Sequence, residues 1–259
     1  MLRPRLIPAL LLQDGGLVKT VGFTEPKYVG DPINAVRIFN EKEADELTIL
    51  DIGVSANQSE PDYRLIEKVA AECRMPLCYG GGVATPSQAK RIIDLGVEKV
   101  SLGRVALVNP EVVAETASEL GRQSVVVTLD VIRRKRRLSR GYEVCSLNAT
   151  QRFDEDPVVA ALRMESLGAG EIVLNSVERD GAMQGYDLEL ASRAREALGV
   201  PLTILGGAGS LQHVEELITS CGLVGAAAGS LFVFKGPYRA VLINYPTWDR
   251  RDELFPGLG

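Results

Sequence analysis

The sequence predicts a closed (β/α)8 TIM barrel, and three observations carry the prediction. Short apolar runs alternate with amphipathic helical stretches eight times along 259 residues, with no linker-like composition between them. Strands separated by helices imply a parallel sheet. The stretch 76–104 (PLCYGGGVATPSQAKRIIDLGVEKVSLGR) is echoed by 201–230 (PLTILGGAGSLQHVEELITSCGLVGAAAGS). Gly80-Gly81 answers Gly206-Gly207, Gly96 answers Gly222 and Gly103 answers Gly229, all at an offset of 126 residues. A fixed long offset marks internal duplication. Eight units with a half-chain repeat suit a closed barrel better than an open doubly wound sheet, and the length suits one such domain, spanning 1–259.

In chain order, 5–12 (RLIPALLL) is the first apolar run, closed by the turn Gln13-Asp14-Gly15-Gly16. Residues 17–23 extend it as a hairpin, and 24–31 read as loop. After Asp31-Pro32, Ile33, Val36, Ile38 and Phe39 space a helical stripe to about Lys42. DELTILDI (45–52) is a buried strand ending in Asp51, and polar 53–62 is a loop able to lie over a site. Helix 61–73, strand 76–80, helix 86–95, strand 97–102, helix 110–120 and strand 124–130 follow. Residues 131–156 break the rhythm, and a turn at Ser139-Arg140-Gly141 predicts an inserted hairpin or lid. Arg133, Arg134, Lys135, Arg136, Arg137 and Arg140 make it basic: a solvated face, or a docking surface for an anionic ligand or acidic partner. Helix 156–167, strand 171–176, a loop RDGAMQGYD, helix 188–198, strand 201–205, helix 210–220, strand 224–229 and a C-terminal helix over 237–243 complete the chain.

Composition narrows the function classes. A hydrophobic content of 46% with 24% charged residues is ordinary for a packed globular core. The net charge of −5 does not suggest nucleic-acid binding. No run approaches the ~20 apolar residues of a membrane span, and the start lacks a signal-peptide pattern, so a cytoplasmic protein is expected. Cys73, Cys78, Cys145 and Cys221 form no CxxC pair, which argues against zinc and disulfides alike. The single histidine, His213, falls in a helix and reads as surface. No metal or redox cofactor is implied, because Asp51 and Asp130 are two separated carboxylates without His or Cys beside them.

In such barrels the chemistry lies at the C-terminal strand ends. Those ends are Leu11, Asp51, Gly80 to Gly82, Gly103-Arg104, Asp130, Asn175-Ser176, Gly206-Gly207 and Gly229-Ser230. Glycines there let backbone N–H groups approach an anion, and a following helix start favours it. Two such corners would hold two phosphates. Alternatively the glycines serve tight turns and the aspartates cap helices.

The motifs IPALLLQDG (7–15), LVK (17–19), VGDP (29–32), ADELTILDI (44–52), GGGV (80–83), EKVS (98–101), VVVTLD (125–130), LGAGEIVLNSVERDGAMQGYD (167–187), GGAG (206–209) and AGSLF (228–232) cover essentially the whole chain. In them the sequence resembles the cyclase subunit of imidazole glycerol phosphate synthase. The resemblance implies a barrel with a glutaminase docked at its N-terminal face, sending ammonia through the barrel to the ligand. Gate residues would map to Arg5, Glu46, Lys99 and Glu171, which could equally form a structural ion-pair ring. Substrate and phosphate contacts would come from Asp51 and Gly82 on one side and from Asp180, Gly181, Gly207, Gly229 and Ser230 on the other.

Two departures stand out. Gly103-Arg104 replaces an Asn-Thr or Asn-Ser pair, and Arg104 could bind a phosphate or larger diphosphate, or plug the site. The family closes its ring with two aspartates; one is present as Asp130, while the other position is Leu11, which transfers no proton. Asp14, on the next turn, is no automatic substitute. Losing one member of an acid–base pair removes about 10²–10⁴-fold of rate. The run PKYVGDPINAVRIFNEKEADEL (26–47) and Leu10-Leu11 are similar to a paralogous branch linked to surface-polysaccharide genes. That similarity implies ammonia delivery for converting an N-acetyl group on a nucleotide-linked sugar to an acetamidino group, with an ATP-dependent amidotransferase as a further partner. The alternatives are a genuine cyclase of histidine biosynthesis and a non-catalytic scaffold that binds a phosphorylated metabolite.

Overall fold

The structure, a computed structural model, describes residues 3–57, 59–134 and 141–254. Eight parallel strands close on themselves: β1 (Arg5–Gln13), β2 (Leu47–Asp51), β3 (Leu77–Gly80), β4 (Lys99–Leu102), β5 (Val125–Arg133), β6 (Glu171–Ser176), β7 (Leu202–Leu205) and β8 (Gly225–Ala228). Each pairs with the next, and β8 pairs back onto β1 from Arg5↔Gly225 to Pro8↔Ala228. Around them lie α1 (Pro32–Glu41), α2 (Tyr63–Glu72), α3 (Pro86–Asp94), α4 (Glu111–Leu120), α5 (Pro157–Ser166), α6 (Leu188–Ala197), α7 (Leu211–Cys221) and α8 (Trp248–Leu254). This is a (β/α)8 barrel. Among the described residues, no helix is long and apolar enough to cross a membrane.

Strand alternation divides the apolar residues into two cores. On β5, Val125, Val127 and Leu129 face the helices, whereas Val126 joins Ile7, Ala9, Cys78, Val173, Leu205 and Ala227 inside the barrel. The helices begin where the sequence supplies caps. Asp31, Asp62, Asp156, Asp187 and Ser210 each accept a backbone N–H of the first turn, and Thr85 with Gln88 closes a capping box on α3. Each such cap is worth about 1 kcal/mol. The duplication is visible in the backbone: Gly81 and Gly207 have φ of 121° and 108°, and Gly103 and Gly229 both have φ of −103°.

Three expectations are corrected. Residues expected as loop over 24–31 include a strand, Thr24–Gly30, pairing antiparallel with Gly16–Val21. It is largely exposed, with only Val29 packed against the core, so no apolar alternation marks it. The expected loop over 53–62 instead opens with a short helix, Ile52–Asn57. The helix expected over 237–243 does not form. Ala240–Val241 pairs with Phe234–Lys235 and Tyr238 is 95% exposed, so this segment has no face to bury. The terminal helix is α8, anchored by fully buried Arg251, a residue that apolar patterning passes over. After β5 the chain returns as Tyr142–Ser146, antiparallel to Asp130–Arg133, and then Gln151–Arg152. The basic residues Lys135, Arg136, Arg137 and Arg140, with Ser139 of the expected turn, lie outside the described residues.

Candidate functional site

A cavity of about 440 Å³ opens at the C-terminal mouth and takes wall residues from all eight strand ends. One corner is built by Gly181, Gly207, Gly229 and Ser230, the last opening the short helix Ser230–Val233. A Cβ at Gly207 would lie 2.1 Å from the Gly185 carbonyl oxygen, so only glycine brings the backbone this close. Lys19, named only within a motif by sequence reasoning, completes the corner. It is 7% exposed, and its Nζ donates to the Ala9 carbonyl at 3.0 Å. A Cβ at Gly229 would sit 1.8 Å from that Nζ. Burial lowers the Lys19 pKa to about 8 against the opposing pull of Asp180. A buried ammonium beside glycine backbone that approaches this closely is chemistry that suits an anion.

The opposite corner holds Gly81, Gly82, Gly103 and Arg104. A Cβ at Gly81 would meet the Asp51 carbonyl oxygen at 2.4 Å. Arg104 is exposed at the rim, and its Nε donates to Gln151 Oε1 at 3.3 Å. It therefore reaches the inserted hairpin that continues the neighbouring strand β5.

The two expected carboxylates differ. Asp51 Oδ1 accepts from Gly53 N and Val54 N, both at 3.1 Å, in the manner of a helix cap. Burial raises its pKa and those two N–H groups oppose the rise. Asp130, at the cavity wall, accepts from Asn175 Nδ2 at 2.9 Å. Burial pushes its pKa up to about 7, with Asn175 opposing and Asp180 adding to the rise. Leu11, on β1 and so four strands from β5 around the barrel, presents only hydrocarbon to the same cavity. Asp14 lies exposed on the hairpin turn. Asp180 Oδ2 accepts from the Thr20 hydroxyl at 2.6 Å and Phe23 N at 3.3 Å, so its carboxylate ties down the Gly16–Gly30 hairpin beside the corner.

At the other end of the barrel the four expected gate residues meet. Arg5 bonds Glu46 and, at 2.7 Å, Glu171; Lys99 bonds Glu46 at 2.8 Å and Glu171 at 3.0 Å. Thr203 Oγ1 adds a bond to Glu171 at 2.7 Å. Burial pushes the Glu171 pKa up, but Arg5 and Lys99 outweigh it and hold it at about 2. Alternating signs leave the ring without net charge. Above it stand Ile7, Cys78, Val126, Val173 and Ala227, then the hydroxyl pair Ser101 and Thr128, 2.6 Å apart. Burial, with Glu46 and Glu171 below, pushes the Cys78 thiol upward, so it stays neutral. His213 is half-buried, its Nδ1 accepting from Gly209 N at 3.1 Å, and lies outside the cavity wall.

The family described as histidine biosynthesis protein matches residues 5–238. A Leptospira borgpetersenii protein provisionally named imidazole glycerol phosphate synthase subunit HisF is 54% identical over 99% of this chain and all of its own length. A Pseudomonas aeruginosa protein, provisionally named subunit hisF2 of the same synthase, is 48% identical over 97% of this chain and 99% of its own. The Exiguobacterium sibiricum protein named imidazole glycerol phosphate synthase subunit HisF is 38% identical over 90% of this chain and 91% of its own.

Proposed function

The chain belongs to the histidine biosynthesis protein family, and from that premise we propose that it is a HisF-type barrel subunit that takes ammonia from a glutaminase docked on its N-terminal face. It delivers that ammonia at the cavity for amidotransfer. The acceptor in this reading is a nucleotide-linked sugar whose N-acetyl group becomes an acetamidino group in surface-polysaccharide synthesis. An ATP-dependent amidotransferase activates the acetamido carbon. Gly82 and Arg104 at one corner, and Lys19 with Gly181, Gly207, Gly229 and Ser230 at the other, take the phosphoryl oxygens.

The observation that carries the reading is Leu11 on the cavity wall across from Asp130. Ring closure moves protons at two places; one carboxylate serves one of them and a leucine none. The removal of one partner costs about 10²–10⁴-fold in rate. Delivery of ammonia asks less of the residues. An apolar interior above an ion ring without net charge passes neutral ammonia, while ammonium entering it would lose several kcal/mol of hydration. Arg5, at 27% side-chain exposure, is the most open member of the ring and is the one able to swing toward a docked partner.

A genuine cyclase is the second reading. Asp130, held near pH 7, is well poised for proton transfer at neutral pH, and both corners are present. Turnover of the ribulosyl aminoimidazole phosphate substrate by the purified chain, with ammonium chloride as nitrogen source, separates the two. No imidazole glycerol phosphate from folded protein is the expected result. A normal enzymic rate would sink the delivery reading.

A further inference from the structure

The two glycine corners are built alike and charged differently. Leu11 pairs with Val18, and Asp130, at the matching strand end, pairs with Cys145. Lys19 and Ser146, the next residues, therefore hold matching places on the two returning hairpins. Both are buried and both line the cavity. Lys19 closes the corner at the end of β8, the strand beside β1. By the same symmetry Ser146 belongs with the corner at the end of β4, the strand beside β5, where it supplies a hydroxyl and no charge.

The cation at the β4 corner is Arg104. Gln151 Oε1 accepts from Ser146 Oγ at 3.2 Å and from Arg104 Nε at 3.3 Å. An arginine only donates, so this bond fixes the amide oxygen toward it. A turn brings Gln151 back opposite Ser146. Its Leu147, Asn148 and Ala149 have φ of 52°, 54° and 63°, and the Thr150 hydroxyl closes it by donating to the Leu147 carbonyl at 2.6 Å. Successive left-handed residues are unfavourable for L side chains, and strain of this kind gathers at ligand clamps. With Nε engaged, the outer edge of the guanidinium is left. Neither Nη1 nor Nη2 makes a hydrogen bond or ion pair among the described residues.

The corners also differ in depth. A Cβ at Gly229 would sit 1.8 Å from Lys19 Nζ, so there the charge lies against the glycine itself. A Cβ at Gly103 would meet nothing nearer than the Thr128 carbonyl oxygen at 3.9 Å, and Arg104 is exposed at the rim. At the β8 corner one phosphoryl group can touch glycine and ammonium together. At the β4 corner an anion that reaches both the glycines and the guanidinium has to be longer.

We propose that the β4 corner is a diphosphate-ester site, in which Gly82 and Gly103 line the inner phosphoryl group and the Nη edge of Arg104 takes the outer one. Arg104 sets the preference for two linked phosphoryl groups over one, and Gln151 and Ser146 are its positioning residues. The inference rests on the reading of the glycine corners as phosphoryl sites and not on ammonia delivery.

Calorimetry at fixed ionic strength tests it, with inorganic phosphate, inorganic pyrophosphate and methyl diphosphate as probes. The native chain should bind pyrophosphate about tenfold more tightly than phosphate, through the added charge-assisted fork. Methyl diphosphate should bind as well as pyrophosphate, and its failure to bind would overturn the ester. Arg104→Gln should bring the preference down to about twofold. Arg104→Lys keeps the charge without the fork and should lose most of the preference as well. Gln151→Leu frees the guanidinium and should cut the preference about threefold, because the fork is no longer preorganised. An unchanged preference in that variant would overturn the positioning role. Lys19→Met removes one charge from the other corner and should leave pyrophosphate the preferred anion, which separates this site from a response to net charge. A native chain without the preference, or a preference that survives Arg104→Gln or falls equally in Lys19→Met, would overturn the site. Binding of neither anion would remove the phosphoryl reading of both corners, whereas phosphate binding without the preference removes this inference alone.

Discussion

At Asp130 the protein keeps a carboxylate where burial works against its charge, and this has a thermodynamic signature. Its folded pKa of about 7 lies above the ordinary value near 4, so between those limits the folded state binds the extra proton. Stability attributable to this group therefore falls as pH rises from about 4 to 7, and is level above that. Asp130→Asn should stabilise the chain at pH 8 by on the order of 1–2 kcal/mol, the value being reduced because the group faces a wet cavity, and by nothing at pH 4. Urea unfolding at the two pH values measures it; equal effects at both would contradict the assignment. Lys19 makes the complementary prediction. Lys19→Met should weaken inorganic phosphate binding about tenfold, read by calorimetry, because the charge-assisted bond to the anion is lost. Neither residue announces its environment in sequence. LVK at 17–19 is an ordinary hairpin triplet, and only the fold presses its lysine against Gly229.

The glycine corners and the ion ring behave as elements. Gly207→Ala drives a methyl group into the Gly185 carbonyl at 2.1 Å while holding φ at 108°, and should cost about 2–3 kcal/mol as well as phosphate affinity. Thermal unfolding with and without phosphate checks both. A Gly15→Ala control also has positive φ, at 76°, but no contact within 4 Å, and should cost less. In the ring, Arg5→Ala leaves two buried carboxylates facing one lysine. About 3 kcal/mol of stability should go, largest near neutral pH and shrinking as Glu171 is protonated toward pH 2. Chemical denaturation of Arg5→Ala and the native chain at pH 7 and pH 3 tests the trend. The corners were legible because glycine pairs at one fixed offset are a local signal. The ring was legible only through resemblance, since its four residues are scattered from 5 to 171. The terminal helix escapes apolar patterning because Arg251 is charged and yet wholly buried, its guanidinium over the rings of Trp248 and Tyr245 at 4.0 and 5.1 Å.

Across the whole molecule, the two ends of the barrel are built differently, an ion ring at one and the glycine-cornered cavity at the other, and one residue allows the lower end to be watched. Trp248 is the single tryptophan, 44% exposed, beside a groove at the N-terminal face that also includes Arg3 and Arg5. Docking of a glutaminase there should shift Trp248 emission to shorter wavelength and protect it from acrylamide, in titrations against a partner lacking tryptophan. Unchanged emission with binding shown by sedimentation would place the partner elsewhere. By itself the sequence determined the barrel, the alternation of its eight core strands with helices, and the paired glycine corners. Those follow from periodicity, caps and residue identity, which act over a few positions and survive without knowledge of neighbours. Only the tertiary structure decided that Lys19 lies buried against Gly229, that the Asn175 amide lies buried against Asp130, and that Arg104 reaches Gln151. These depend on strands 5, 6 and 8 converging with segments far off in the chain. Burial and partnership of a polar group are properties of the place where it ends up, and the place is made by closing the barrel.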